Sequence, residues 1–386
     1  MAMTTTKLQR IRRRRITALA ALALVAVTAG LLVGASRDDP EPEPPASKER
    51  EAAPPAKQLP VEQAVGQLLV MSFDGTTAPD YIRRRLRDGQ GTGVILFAKN
   101  APDSATLKTL TRTLQRAADG GALIATDQEG GQIRSVPFAP PEQSQATLAS
   151  PAAAAGAAQA AGTDLAANGI NVNLAPVADI GSGIGSVMAG RAYPGDAEQV
   201  SGLVKAAVPA YGRRVAATAK HFPGLGRAAA NTDDEPVTID ASRRELAGDL
   251  EPFEAAIDQE VPLVMSSHAL YSALDGEDIA SQSRPILTGL LRDELGFKGA
   301  IVTDSIEAQA VLSRSGIAEA AERSIDAGTD LILMTGSGSW NEIQPRLLRR
   351  ARTDAAFRAR VRRAAARVIA LKRRLGLTSQ PPAAGR

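Results

Sequence analysis

The chain contains no cysteine and only two histidines, His221 and His268. The first absence excludes disulfides, thiolate catalysis, cysteine-based zinc sites and lipid attachment at an N-terminal cysteine. The second leaves too few ligands for a histidine-rich metal centre, and no metal or cofactor is expected. Aromatic residues supply only 3% of the 386 residues, in a chain rich in alanine and arginine; the bias reads as genome composition. A pervasive charge of one sign is also missing. The formal net charge is +3, and a single run, Arg10, Arg12, Arg13, Arg14 and Arg15, leaves the remainder close to neutral. The sequence pI of about 9.2 therefore carries no nucleic-acid footprint.

One long apolar run is present. Residues 16–35, ITALAALALVAVTAGLLVGA, follow the arginines directly and hold no charge. About 20 apolar residues span a bilayer as a helix, and the arginines would stay cytoplasmic. The run exceeds the ~7–15-residue core of a signal peptide, although Val33, Gly34 and Ala35 make a fair cleavage site. Residues 1–36 are thus expected to be a membrane anchor or a cleaved signal, with the bulk of the chain outside the cytoplasm in either case. Residues 37–60 are dominated by proline, glutamate and lysine and read as an extended linker. The tail, 377–386, reads as disordered.

Between linker and tail, short apolar runs alternate with helical stretches. The runs are VGQLLVMSF (65–73), TGVILFA (92–98), ALIATD (122–127), INVNLAPVAD (170–179), AATAKHF (216–222), PLVMSSH (262–268), GAIVTDS (299–305) and DLILMTG (330–336). They are rich in Val, Ile and Leu without strict alternation, as strands covered on both faces are. The spacing predicts an α/β fold, a single (β/α)₈ TIM barrel over 61–376. An open doubly wound sheet is the rival, weakened by the lack of a glycine-rich phosphate loop after the first strand. The basic final stretch, FRARVRRAAARVIALKRRLGL, is expected on the barrel's outside.

Barrel enzymes carry their chemistry at the C-terminal ends of the strands. Ionisable residues collect there: Asp127 and Glu129 after the third strand, Asp179 after the fourth, Lys220 and His221 on the fifth, His268 on the sixth, Asp304 on the seventh. Any one of them could belong to a structural ion pair. Several at equivalent positions point to a site, because ionisable groups inside a rim are costly to desolvate. Carboxylates, Lys and His around one mouth suit sugar hydroxyls, and glycoside cleavage uses a carboxylate and a general acid.

At this point the residues resemble a known family. ATDQEGG (125–131), INVNLAPVADI (170–180), KHFPGLG (220–226), ELAGDLEPF (245–253), VMSSH (264–268) and GFKGAIVTDS (296–305) are similar, in order, to signatures of family 3 glycoside hydrolases, in particular the bacterial β-N-acetylglucosaminidases. The resemblance implies that Asp304 is a nucleophile that forms a covalent glycosyl-enzyme. It implies substrate contacts for Asp127, for Arg191 in GRAYPGD, for Lys220 and His221, and for His268. The implied function is exo-acting, retaining removal of terminal β-linked N-acetylglucosamine from cell-wall fragments. An amino-sugar glycan or muropeptide is the expected partner, with no nucleic acid, membrane contact through the N-terminal helix only, and a monomeric state.

Two departures qualify the match. The family segment reads approximately KHFPGHG, four variable residues, then DSH, whose histidine is the acid/base. Here Leu225 replaces one histidine, Asn231 stands at the partner aspartate and Asp233 at the catalytic histidine. Asp233 could be the acid/base, with Asp234 or Glu235 as substitutes, since burial or a neighbouring carboxylate raises a carboxyl's proton affinity. Otherwise the loop is a solvated acidic turn on a catalytically impaired, sugar-binding barrel, or the acid comes from elsewhere. A family 3 glycosidase of other sugar specificity is a further alternative. Secondly, Ser135 holds the position where the family places an arginine, with Arg134 one residue early; in extended chain that shift turns the side chain to the opposite face.

Overall fold

In a computed structural model of the chain, residues 59–181 and 185–378 are described. The expected anchor or signal segment, most of the linker and nearly all of the tail lie outside them. Among the described residues no helix is long and apolar enough to cross a membrane.

The eight apolar runs form eight parallel strands in a closed barrel. They are β1 (Leu69–Met71), β2 (Gly93–Leu96), β3 (Leu123–Thr126), β4 (Val172–Asn173), β5 (Ala216–Phe222), β6 (Leu263–Ser266), β7 (Ala300–Ser305) and β8 (Leu331–Leu333). Each pairs with its sequence neighbours, and β8 closes on β1 with Leu69 opposite Ile332. Alternate residues sort into two cores. Val70, Ile95, Leu123, Ala125, Val172, Leu263, Met265, Val302 and Leu333 fill the inside. Leu69, Val94, Ile124, Ala217, Val264, Ile301 and Ile332 face the surrounding helices. Both faces are apolar, which is why the strands carry no simple alternation in sequence.

Helices follow the strands: α1 (Asp80–Arg87), α2 (Ser104–Ala117), α3 (Pro151–Ala167), α4 (Ala197–Ala210), α5 (Arg243–Asp258), the π-helix α6 (Pro285–Glu294), α7 (Ile317–Ala327) and α8 (Trp340–Thr353). Local chemistry starts several of them. The Ser150 hydroxyl accepts the Ala153 N–H at 3.2 Å, with Pro151 in the first turn of α3. Asp196 and Gln199 cap α4 reciprocally, as do Ser242 and Glu245 α5. Helix α3 is alanine-rich because it packs closely: a Cβ on Gly162 would lie 2.3 Å from the Tyr211 carbonyl oxygen at the end of α4.

The last helix, α9 (Ala355–Arg374), corrects one expectation. It does not simply lie outside the barrel. Val368 and Leu371 join the interior cluster beside Leu123, Ala216, Leu263, Ala300 and Leu331, the first residues of their strands or next to them. This helix therefore closes the floor. The polar ends of the strands are left at the opposite mouth, where the site must be.

Candidate active site

Lys220, Arg191, His221 and five carboxyl groups, those of Asp127, Glu129, Asp179, Asp233 and Asp304, converge at that mouth. Lys220, from the interior-facing end of β5, is almost completely buried, and its Nζ lies 2.7 Å from Asp127 Oδ1 and 2.6 Å from Glu129 Oε1. Arg191, on the loop leading to α4, donates from Nε and Nη2 to the two oxygens of Glu129 at 3.0 and 2.7 Å, a bidentate pair. Burial opposes ionisation of Glu129, but the charges of Lys220 and Arg191 overcome it and hold the carboxyl down at about 2. Burial likewise opposes the Lys220 cation, and the charges of Asp127 and Glu129 outweigh it, raising its proton affinity. Both cations remain charged and fully oriented, with Asp127 still partly open to the mouth.

On the other side His221 Nδ1 lies 2.7 Å from Asp179 Oδ2, and His221 Nε2 lies 3.8 Å from Asp304 Oδ2. Asp304, at the end of β7, accepts the Ser305 N–H at 2.8 Å. Burial would favour its neutral form, but His221, His268 and Lys220 pull its carboxyl below the ordinary range. Asp304 favours its ionised form, and its side chain, like that of Asp127, is 22% exposed, enough for a substrate atom to reach it. The strand end is braced by Glu307, whose Oε2 accepts from the Thr335 N–H and hydroxyl at 2.9 and 3.0 Å and from the Ser305 hydroxyl at 3.2 Å.

Asp233 lies on the loop after β5. The Asn231 amide bridges it, accepting the Asp233 N–H at 3.2 Å and donating from Nδ2 to Asp233 Oδ2 at 3.4 Å. The carbonyls of Thr232 and Asp233 accept the N–H groups of Ala310 and Gln309 at 3.0 and 3.1 Å. These bonds tie the loop to the segment immediately beyond Asp304. Partial burial and the negative charge of Asp304 push the Asp233 carboxyl above its ordinary range. Two carboxyl groups facing one mouth are thus driven apart, one towards the carboxylate and one towards the acid, the division that acid–nucleophile pairs require.

Of the residues singled out from the sequence, Asp127, Arg191, Lys220, His221, Asp233 and Asp304 are brought together. His268 differs. It is fully buried, with Nδ1 2.7 Å from the Ser281 hydroxyl and Nε2 2.9 Å from the Ser305 carbonyl oxygen. Neither nitrogen is free to meet a sugar, and the ring supports the backbone beside Asp304 instead. Arg134 is engaged by its own loop, donating to the carbonyls of Pro137 and Ala139 at 2.6 and 3.2 Å. Sequence reasoning saw Glu129 and Asp179 only as rim carboxylates. Their connecting roles had one signal, their place at strand ends, and no local motif.

The closed barrel, an ionised carboxylate at the end of β7 and a protonatable carboxyl beside it define a barrel glycoside hydrolase. Residues 60–371 match the glycosyl hydrolase family 3 N-terminal domain, and the chain belongs to that family. An uncharacterised secreted glycosyl hydrolase of Arthroderma benhamiae is 35% identical over 299 residues, 74% of this chain and 84% of that protein. A beta-hexosaminidase of Bordetella pertussis is 33% identical over 292 residues, 72% and 83% of the two chains. Among solved structures, a glycoside hydrolase family 3 beta-N-acetylglucosaminidase from Paenibacillus sp. superposes with a TM-score of 0.79 at 32% identity, covering 85% of this chain and 66% of that one.

Proposed function

We propose that the protein is an exo-acting, retaining β-N-acetylhexosaminidase that removes terminal N-acetylglucosamine from cell-wall fragments, with Asp304 as nucleophile and Asp233 as acid/base. The observation that carries this reading is the opposed pair: Asp304 held below the usual carboxylate range by His221, His268 and Lys220, and Asp233 pushed above it by burial and by Asp304. In the first step Asp304 attacks the anomeric carbon, the bond to the leaving oxygen breaks, and Asp233 gives that oxygen its proton. In the second, Asp233 takes a proton from water as the water oxygen bonds to the anomeric carbon and the ester to Asp304 opens. Asp127, Arg191, Lys220 and His221 would hold the ring hydroxyls, cations donating and Asp127 accepting. The amino-sugar preference follows the names of the relatives. Export rests on residues 16–35 and agrees with the secreted description of the fungal relative. Whether the segment stays as an anchor or is cleaved, the barrel acts outside the cytoplasm, as a monomer.

The test compares the intact chain with Asp304→Asn and Asp233→Asn on an aryl N-acetyl-β-glucosaminide and on a substrate with a poorer leaving group. Asp304→Asn should lose turnover on both. Asp233→Asn should lose far more on the poor leaving group, which needs the proton, by about 10²–10⁴-fold. The sugar-binding alternative has the solvent-exposed acidic pair Asp234 and Glu235, next to Asp233, in its favour. Calorimetric binding of chitooligosaccharide with no turnover of any aryl glycoside would select it.

A further inference from the structure

Asp179 has no part in the mechanism above, yet it is the most enclosed carboxylate at the mouth. It stands at the exit of β4 with no exposed surface. Oδ1 accepts the backbone N–H groups of His221 at 3.1 Å and Leu225 at 2.6 Å, and Oδ2 meets His221 Nδ1 at 2.7 Å. One carboxylate therefore anchors the backbone on both sides of the Phe222, Pro223, Gly224 turn and grips the ring that turn presents. The grip selects the ring's hydrogen: Nδ1 donates to Asp179, so the other nitrogen, Nε2, is aimed at Asp304 Oδ2 across 3.8 Å. A neutral ring in that orientation would turn a lone pair towards a carboxylate. A doubly protonated ring turns an N–H to each of its two carboxylates.

We propose that Asp179 is a positioning residue that, through His221, holds an imidazolium against the nucleophile Asp304, with Asp304 the anion it supports. The proposal deepens the glycosidase reading and rests on it for its kinetic consequence. As attack proceeds, Asp304 gives up its charge to the new bond, and the Nε2–H is released to a sugar hydroxyl. When the ester opens, the same N–H receives the departing carboxylate. The imidazolium thus serves the second step as much as the first. Other charges face this pair: Lys220 from β5, His268 from β6, Arg191 from the loop before α4 and Asp233 from the loop after β5. Lys220 and Arg191 are already committed to Asp127 and Glu129. His268 spends both nitrogens on Ser281 and Ser305. His221 is left as the ring whose second nitrogen faces Asp304, 3.8 Å away.

The experiment is ¹⁵N-histidine NMR of the full chain at neutral pH beside the pH profile of kcat/KM on an aryl N-acetyl-β-glucosaminide. With two histidines in the sequence, His268→Gln assigns the signals. In the intact protein both His221 nitrogens should carry hydrogen. In Asp179→Asn the ring should be neutral, the acidic limb of kcat/KM should move to higher pH by about one unit, and kcat should fall tenfold or more with KM changed less than about threefold. His221→Gln, which keeps a donor for Asp179 but no charge, should move the limb equally. The double variant should be no slower than His221→Gln alone. A neutral His221 ring in the intact protein, an unmoved limb, or losses that multiply in the double variant would overturn the proposal. Should Asp179→Asn fail to fold, the intact ring and the His221→Gln limb decide. Should the intact chain hydrolyse nothing, the glycosidase reading fails while the ring's protonation still tests the Asp179 contact.

Discussion

At the residue scale the site is two charge networks that meet at Asp304. The first is Glu129 between Lys220 and Arg191. Its depressed carboxyl makes a stability prediction. The folded value of about 2 lies below the ordinary 4.5, so the unfolded chain binds the extra proton in that window. The stabilisation is present above about pH 4.5 and is lost as the pH falls towards 2. Glu129→Gln should remove this acid sensitivity and destabilise the fold by about 3 kcal/mol at neutral pH, since two buried cations lose their partner. Denaturant unfolding between pH 3 and pH 7 measures both. The second network gives the pH dependence of turnover. The proposed mechanism needs Asp304 ionised and Asp233 protonated, so kcat/KM should be bell-shaped. Because Asp233 is raised, the alkaline limb should lie above the ordinary carboxylate range. In Asp233→Asn that limb should vanish for an aryl substrate, and a limb unchanged by the substitution would show that another group is the acid.

At the element scale the helices repay their composition. The close approach of α3 and α4 at Gly162 leaves no space for a side chain. Gly162→Val should destabilise by about 1–3 kcal/mol through overpacking, read as a lower midpoint of thermal unfolding with the site chemistry intact. Helix α9 carries the opposite feature, a lysine where apolar surface is wanted. Lys372 is buried, with no counter-charge among the described residues, and burial pulls its proton affinity down to about 7. Between pH 7 and 10.5 the unfolded chain holds this proton more tightly than the folded one, so stability rises with pH across that window. Lys372→Met should raise stability at pH 7 by about 2–4 kcal/mol and flatten the rise. Equal stabilities of the two chains at pH 7 and pH 10 would contradict the burial argument.

At the scale of the whole molecule, one end of the barrel is closed with aliphatic side chains and the other is open and polar. Val368 and Leu371 seal the floor, so stability work and chemistry are separated along one axis. Leu371→Ala should cost about 2–5 kcal/mol while leaving KM unchanged. A chain reduced to residues 59–378 should fold cooperatively and keep the turnover of the full chain on a soluble aryl glycoside; a loss of more than about tenfold would give the remaining residues a role in the site.

Strand number, order and type were legible in the sequence because most strands are short apolar runs ended by a turn, and eight such runs with intervening helices leave few arrangements. Asp127, Lys220, His221 and Asp304 were legible for the same reason: a polar residue at the end of an apolar strand must sit at a rim. What the sequence could not decide is who pairs with whom. Glu129 meets Arg191 from 62 positions away, Asp179 meets His221 from 42, and His268 spends itself on Ser281 and Ser305. Those contacts depend on how loops from different strands cross the mouth, on distances of a few tenths of an ångström, and on burial that no local pattern encodes. Local composition therefore determined the barrel and the ring of ionisable residues. Only the tertiary structure turned that ring into one carboxyl drawn towards its anion by the charges around it and a second that holds its proton more tightly because of the first, because electrostatic fields add through space and not along the chain.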